Sequence, residues 1–144
     1  SGKAVNEELR SFEKVYRQFN SNWLGVCPVY GTNNTSEDEF YFNKSMDALA
    51  NPLELKHLSG LKGFESDEDV IIGYMKDGSG NPGFMVVNYN DSSWNKKVNA
   101  KMNFGDYTQA QVYRRGKKSV VDLKNGILML ELEVGEGAFV IPCS

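Results

Sequence analysis

Acidic side chains are the commonest chemistry-bearing groups in this sequence, 19 Asp and Glu in 144 residues. Two carboxyl groups can cleave a glycosidic bond when they oppose each other across it, ~5–5.5 Å apart for retention or ~6.5–9.5 Å for inversion. The conspicuous clusters are Glu37-Asp38-Glu39 and Glu65 with Asp67-Glu68-Asp69. Both fall in polar stretches that read as loops, where adjacent acids form a solvated surface. No catalytic residue is assigned from them.

Nucleophilic chemistry has few candidates. His57 is the one histidine, and Cys27 or Ser59 would have to serve as its partner. No G-x-S-x-G elbow lifts a serine out of a strand-turn-helix corner. One histidine and two cysteines, Cys27 and Cys143, do not make an ordinary transition-metal site. The two thiols are expected to be free rather than paired. Asp77-Gly78-Ser79-Gly80-Asn81 has oxygen ligands at alternate positions, like a calcium loop, but lacks the distant bidentate Glu. A plain hairpin loop explains it, and neither metal nor cofactor is expected.

Sugar recognition needs flat aromatic rings with amides and carboxylates beside them. Trp94, within Asn88-Tyr89-Asn90-Asp91-Ser92-Ser93-Trp94-Asn95, has such neighbours, and Tyr107 and Tyr113 could extend the surface. The competing structural role is to cover one end of the fold. Trp23 reads as core or junction packing. Asn33-Asn34-Thr35, Asn43-Lys44-Ser45 and Asn90-Asp91-Ser92 match the glycosylation sequon, which matters only in a secreted eukaryotic protein.

These groups must be positioned by a mostly β chain. Val5, Leu9, Phe12, Val15, Tyr16 and Phe19 recur at helical spacing, predicting one amphipathic helix before Asn20. Leu24–Tyr30 reads as a strand that Pro28 confines to an edge or bulge. Residues 31–39 are polar and loop-like, and 40–62 mix short strand and helical-turn signals. VIIGYMK (70–76) and GFMVVNY (83–89) flank a turn-rich string and predict a hairpin. Val98, Ala100, Met102 and Phe104 alternate with polar residues, as a half-buried strand does. Ala110–Arg114 and Ser119–Leu123 flank a Gly-Lys-Lys turn, and Asn125-Gly126 predicts a tight hairpin before Leu128–Val134. A last strand, Ala138–Ile141, should stop at Pro142.

The expected architecture is an antiparallel β-sandwich of six to eight short strands with one N-terminal helix. Residues 1–22 would form a helical join to an upstream domain, and 23–144 a single domain. Charge supports neither a nucleic-acid binder (16 Lys and Arg against 19 acids) nor a transmembrane segment, since no apolar run nears ~20 residues. Ser1-Gly2 reads as a processing point or the edge of a fragment, with no secretory leader. The compartment stays open between bacterial cytoplasm and secretion.

The helix VNEELRSFEKVYRQF followed by a Gly-Val strand resembles the join between a catalytic (β/α)8 barrel and its C-terminal β domain in glycoside hydrolases. DVIIGYMKDGSGNPGFMVVNYND, VNAKMNF and AQVYRRGKKSVVDLKNGILMLELEVGEGAFVIP resemble that β domain, covering roughly 68–142. In it, a hairpin is followed by an Asn exit, a strand, and a terminal hairpin with a Gly-x-Gly turn. The resemblance implies a non-catalytic module whose partner is the catalytic barrel of the same chain, with the reactive carboxylates in that barrel. The alternative is a carbohydrate-binding module contacting an oligo- or polysaccharide through Trp94, Tyr107 and Tyr113. An immunoglobulin-type adhesion sandwich lacks its Cys-Trp-Cys signature here, and a standalone enzyme would need more chain to line a cleft.

Overall fold

The computed structural model describes residues 23–33, 53–88, 90 and 95–144. Nine strands occur among them: β1 (Trp23–Val29), β2 (Gly63–Ser66), β3 (Val70–Lys76), β4 (Pro82–Asn88), β5 (Val98–Asn103), β6 (Gln109–Arg114), β7 (Lys117–Asp122), β8 (Ile127–Leu132) and β9 (Gly137–Cys143). They form two antiparallel sheets, a six-stranded one ordered β1-β3-β4-β9-β6-β7 and a three-stranded one ordered β2-β5-β8. The mainly β, two-sheet expectation therefore holds. The predicted helix lies outside the described residues.

One core joins the sheets. The smaller sheet contributes Phe64, Val98, Ala100, Met102, Leu128, Leu130 and Leu132, every second residue of its strands. Facing them are Ile72, Tyr74, Phe84, Val86, Val112 and Val140 from the larger sheet. Tyr74 stacks on Phe84 at 5.6 Å, and Phe84 reaches Phe104 at 5.7 Å. Such ring pairs contribute about 0.5–1.5 kcal/mol each beyond area burial.

The larger sheet departs from the expected half-buried alternation. Strands β3, β4 and β9 are buried on nearly every residue, because their apolar runs supply both faces. Met75, Met85 and Phe139 form a second cluster with Val87, Tyr113 and Ile141. Phe139 pairs with Met85 on one side and Tyr113 on the other, which fixes this cluster on the face opposite the core.

Several local expectations need correction. Nine strands replace six to eight; the unforeseen β2 is four residues long, too short to display a period. The β6–β7 turn is at Arg115-Gly116, φ 51° and 73°, so Lys117 and Lys118 belong to β7 rather than to the turn. Asn125 and Gly126 have the positive φ foreseen for them (55° and 77°). They do not close a hairpin between paired strands, however, but carry the chain from β7 in one sheet to β8 in the other. Pro142 does not end the last strand. Its missing N–H is tolerated because the β4–β9 ladder already ends at Val140, while Pro142 remains aligned with Ala110 of β6. Pro28 does mark an edge, with β1 outermost and its register shifted between Trp23 and Gly25. A single 3-10 turn, Leu55–His57, lies in the stretch of mixed signals.

Candidate functional site

Four segments converge at one end of the larger sheet. The β3–β4 loop brings Asp77 and Asn81, the β5–β6 connection brings Tyr107, and β6 and the end of β9 bring Gln111 and residues 141–144. Together they line an open concavity of about 400 Å³. A second one, of about 340 Å³, lies beside it and is lined by Gly60, Lys62, Phe104, Asp106, Tyr107 and Ser144. The half-buried Tyr107 thus stands between two small depressions. The Thr108 N–H donates to the Cys143 carbonyl at 3.2 Å and the Leu123 N–H to the Thr108 carbonyl at 2.8 Å, which holds this corner in place.

Asp77 belongs to the loop itself. Its Oδ1 accepts the N–H groups of Ser79 and Asn81, and its Oδ2 accepts Asn81 Nδ2, all at 2.9 Å. The Asn81 amide holds the Asp77 carboxyl below its usual range. With its oxygens committed in this way, Asp77 closes a hairpin loop. Among the described residues no group of three His, Cys, Asp or Glu is placed to hold a metal.

Tyr113 is placed differently from Tyr107. It lies on the outer face of β6, its ring centroid 6.4 Å from Phe139 and 5.8 Å from Lys118 Nζ, and its hydroxyl donates to Gln111 Oε1 at 3.3 Å. Gln111 lines the 400 Å³ concavity, so it links the two tyrosines' surroundings. Trp94 lies outside the described residues.

The acidic run before β3 is spent on the fold. Asp67 accepts the backbone N–H of Asn99 at 2.8 Å and its Nδ2 at 2.9 Å. Partial burial pushes the Asp67 carboxyl up, but these bonds outweigh it and leave the group below its usual range. Glu68 takes Asn33 Nδ2 at 2.9 Å and Lys96 at 3.4 Å. Buried Asp69 accepts the Gly31 N–H at 2.8 Å. Each carboxylate serves a different partner, and Glu65 is exposed on β2. The Glu37-Asp38-Glu39 cluster lies outside the described residues.

His57 is exposed, with Nδ1 accepting the Glu54 N–H at 3.1 Å. Ser59 is tied through its backbone N–H to the Tyr74 hydroxyl at 3.0 Å. Cys27 and Cys143 are free thiols. Burial, with a smaller push from Glu54, raises the Cys27 thiol to about 11, which keeps it protonated and unreactive.

Of the sequons, Asn90 is 8% exposed and donates its Nδ2 to the Asp69 carbonyl at 3.0 Å and to Asn88 Oδ1 at 2.8 Å. A glycan on that nitrogen would break both bonds. Asn88, itself 1% exposed, shares its Nδ2 among the carbonyls of Lys96, Leu132 and Glu133. It locks the exit of β4 to the end of β8.

In the sequence Glu136 stands only as the middle residue of the Gly-x-Gly turn Gly135-Glu136-Gly137. Its carboxylate, 3% exposed, accepts Arg114 Nη2 at 2.6 Å and the Glu133 N–H at 2.9 Å, and pairs with Arg115 Nε at 2.5 Å. The available signal was the adjacent cation pair Arg114-Arg115 beside a turn. Gln111 was also missed, since one amide in an alternating strand carries no signature.

Compared with known proteins, the chain matches no family model, no curated protein and no solved structure. Among the described residues, no helix is long and apolar enough to cross a membrane.

Proposed function

We propose that this chain is a non-catalytic accessory domain of a glycoside hydrolase, packing on a catalytic (β/α)8 barrel and stabilising it. The observation that carries this reading is the antiparallel two-sheet body that such an accessory domain requires, built on a larger sheet apolar on both faces. One face meets the smaller sheet, and the Met75, Met85 and Phe139 cluster on the other is itself buried, 0–5% exposed. The spent carboxylates of 67–69 favour a supporting role over bond cleavage. In this reading residues 1–22 are the join to the barrel, and the chain takes no cofactor. The test is to sequence the reading frame upstream of residue 1, then assay its product on aryl glycosides with and without residues 23–144. A barrel whose thermal midpoint falls on deletion is the expected result. An upstream frame that encodes no barrel sinks the proposal.

A second reading is a carbohydrate-binding module. It is favoured by the concavity that sets the Tyr107 ring beside the amides of Gln111 and Asn81, the mixture of apolar face and hydrogen-bonding groups that a sugar ring needs. Calorimetry against a polysaccharide panel decides it. Binding to at least one glycan, weakened by Tyr107→Ala, is expected, and no binding to any of them ends the idea.

A further inference from the structure

The β6–β7 hairpin gathers Arg114, Arg115, Lys117 and Lys118 within five residues of a chain whose formal charge is -3. Arg115 occupies the first position of a two-residue turn at φ 51°. Asn, Asp or Gly fills that position by preference, because side chains with a bulky Cβ substituent are strained there. An arginine kept at a backbone cost invites a functional explanation.

Glu136 supplies the geometry for one. Its buried carboxylate holds two guanidinium groups, so the cluster keeps a net positive charge. On Arg115 it engages only Nε. The Nη1 and Nη2 end, on a side chain 57% exposed, has no ion pair among the described residues. That end is a planar fork of parallel donors, pre-oriented by Glu136 and matched in shape to a carboxylate. Lys118 lies directly across the ladder from Tyr113, and the Tyr113 hydroxyl engages Gln111 Oε1, which leaves Nε2 of that amide as a donor.

We propose that this hairpin binds the uronic-acid units of an acidic polysaccharide, with the sugar carboxylate in the Arg115 fork. Lys118 attracts the neighbouring charge, and the Gln111 amide on the same face takes a hydroxyl. The inference rests on the second reading above and gives it a ligand class. A sugar is favoured over a bare polyanion because an aromatic ring, Tyr113, and an amide, Gln111, share the face of Lys118. An extended polyanion such as nucleic acid is disfavoured because the outer side of the smaller sheet carries Glu65 and Glu131 with only Lys101 among them, so no basic track continues there.

Calorimetry of the whole chain with polygalacturonate tests it, with neutral dextran and poly-glutamate as further arms. Polygalacturonate is expected to bind, more weakly as salt rises. Arg115→Asn, which installs a residue the turn prefers and leaves Arg114 on the Glu136 carboxylate, should weaken binding about tenfold with the chain still folded. Lys118→Ala, at an exposed side chain across the ladder from Tyr113, should weaken it several-fold with no change in folding. Dextran binding as tightly, with Arg115→Asn silent, overturns the acidic assignment and leaves the glycan reading standing. Poly-glutamate binding as tightly overturns the sugar part, and no binding in any arm overturns both.

Discussion

Gly126 and Gly105 meet backbone to backbone. A β-carbon on Gly126 would overlap the Gly105 carbonyl oxygen, and the Phe104 N–H donates to the Gly126 carbonyl at 2.8 Å. With φ at 77°, Gly126 is needed twice, for its conformation and for its lack of a side chain. Gly126→Ala is therefore expected to cost more than about 2 kcal/mol in urea unfolding. Gly78→Ala, where an added carbon meets nothing within 4 Å, should stay within about 0.5 kcal/mol. Equal effects at the two sites would remove the close approach from the account.

Asn88 binds β4 to the far end of β8 through hydrogens it alone supplies. Asn88→Asp keeps the shape but replaces those donors with a buried charge facing three carbonyls. A loss of about 3 kcal/mol or more is expected from chemical denaturation. A variant as stable as the parent would mean that water replaces the network.

Asp77 should titrate below its ordinary value of 3.8, because the Asn81 amide favours its charged form. A lowered folded-state pKa has one sign: the loop stabilisation is complete above 3.8 and fades as pH falls through the lowered value. NMR titration of the Asp77 carboxyl checks this, and Asn81→Ala should move its midpoint upward. A midpoint at or above 3.8 in the parent contradicts the loop geometry.

The two thiols should separate by reactivity. Cys27, buried and raised to about 11, is expected to resist iodoacetamide at pH 8 in the native state, while the partly exposed Cys143 is alkylated. Intact mass spectrometry should show one adduct on the native protein and two after denaturation. Two native adducts would place Cys27 at the surface.

Local chemistry was legible where the backbone demanded a special residue. Asn125-Gly126 announced positive φ, and Pro28 announced an edge strand. The alternation of Val98, Ala100 and Met102 predicted which side of β5 is buried, and the structure buries those three. The destination of a turn was not legible. Whether Asn125-Gly126 returns a strand to its neighbour or sends it to another sheet depends on packing around Gly105, which is 21 positions away. Continuous apolar runs such as VIIGYM also hide which residues face which layer, so the second cluster around Phe139 could not be read. At the candidate site, Tyr107 and Tyr113 were visible as aromatics. The amide of Gln111 and the carboxylate of Glu136, which tie together segments distant in sequence, were not.

The place of β9 has a consequence for biosynthesis. Its ladders to β4 and β6 are what unite β1-β3-β4 with β6-β7. During translation those two groups emerge from the ribosome first and remain separate partial sheets, each with an open flank where β9 belongs. The larger sheet can close only after Gly137–Cys143 has left the exit tunnel, so its two halves wait for their last strand and the sheet does not grow strand by strand in chain order.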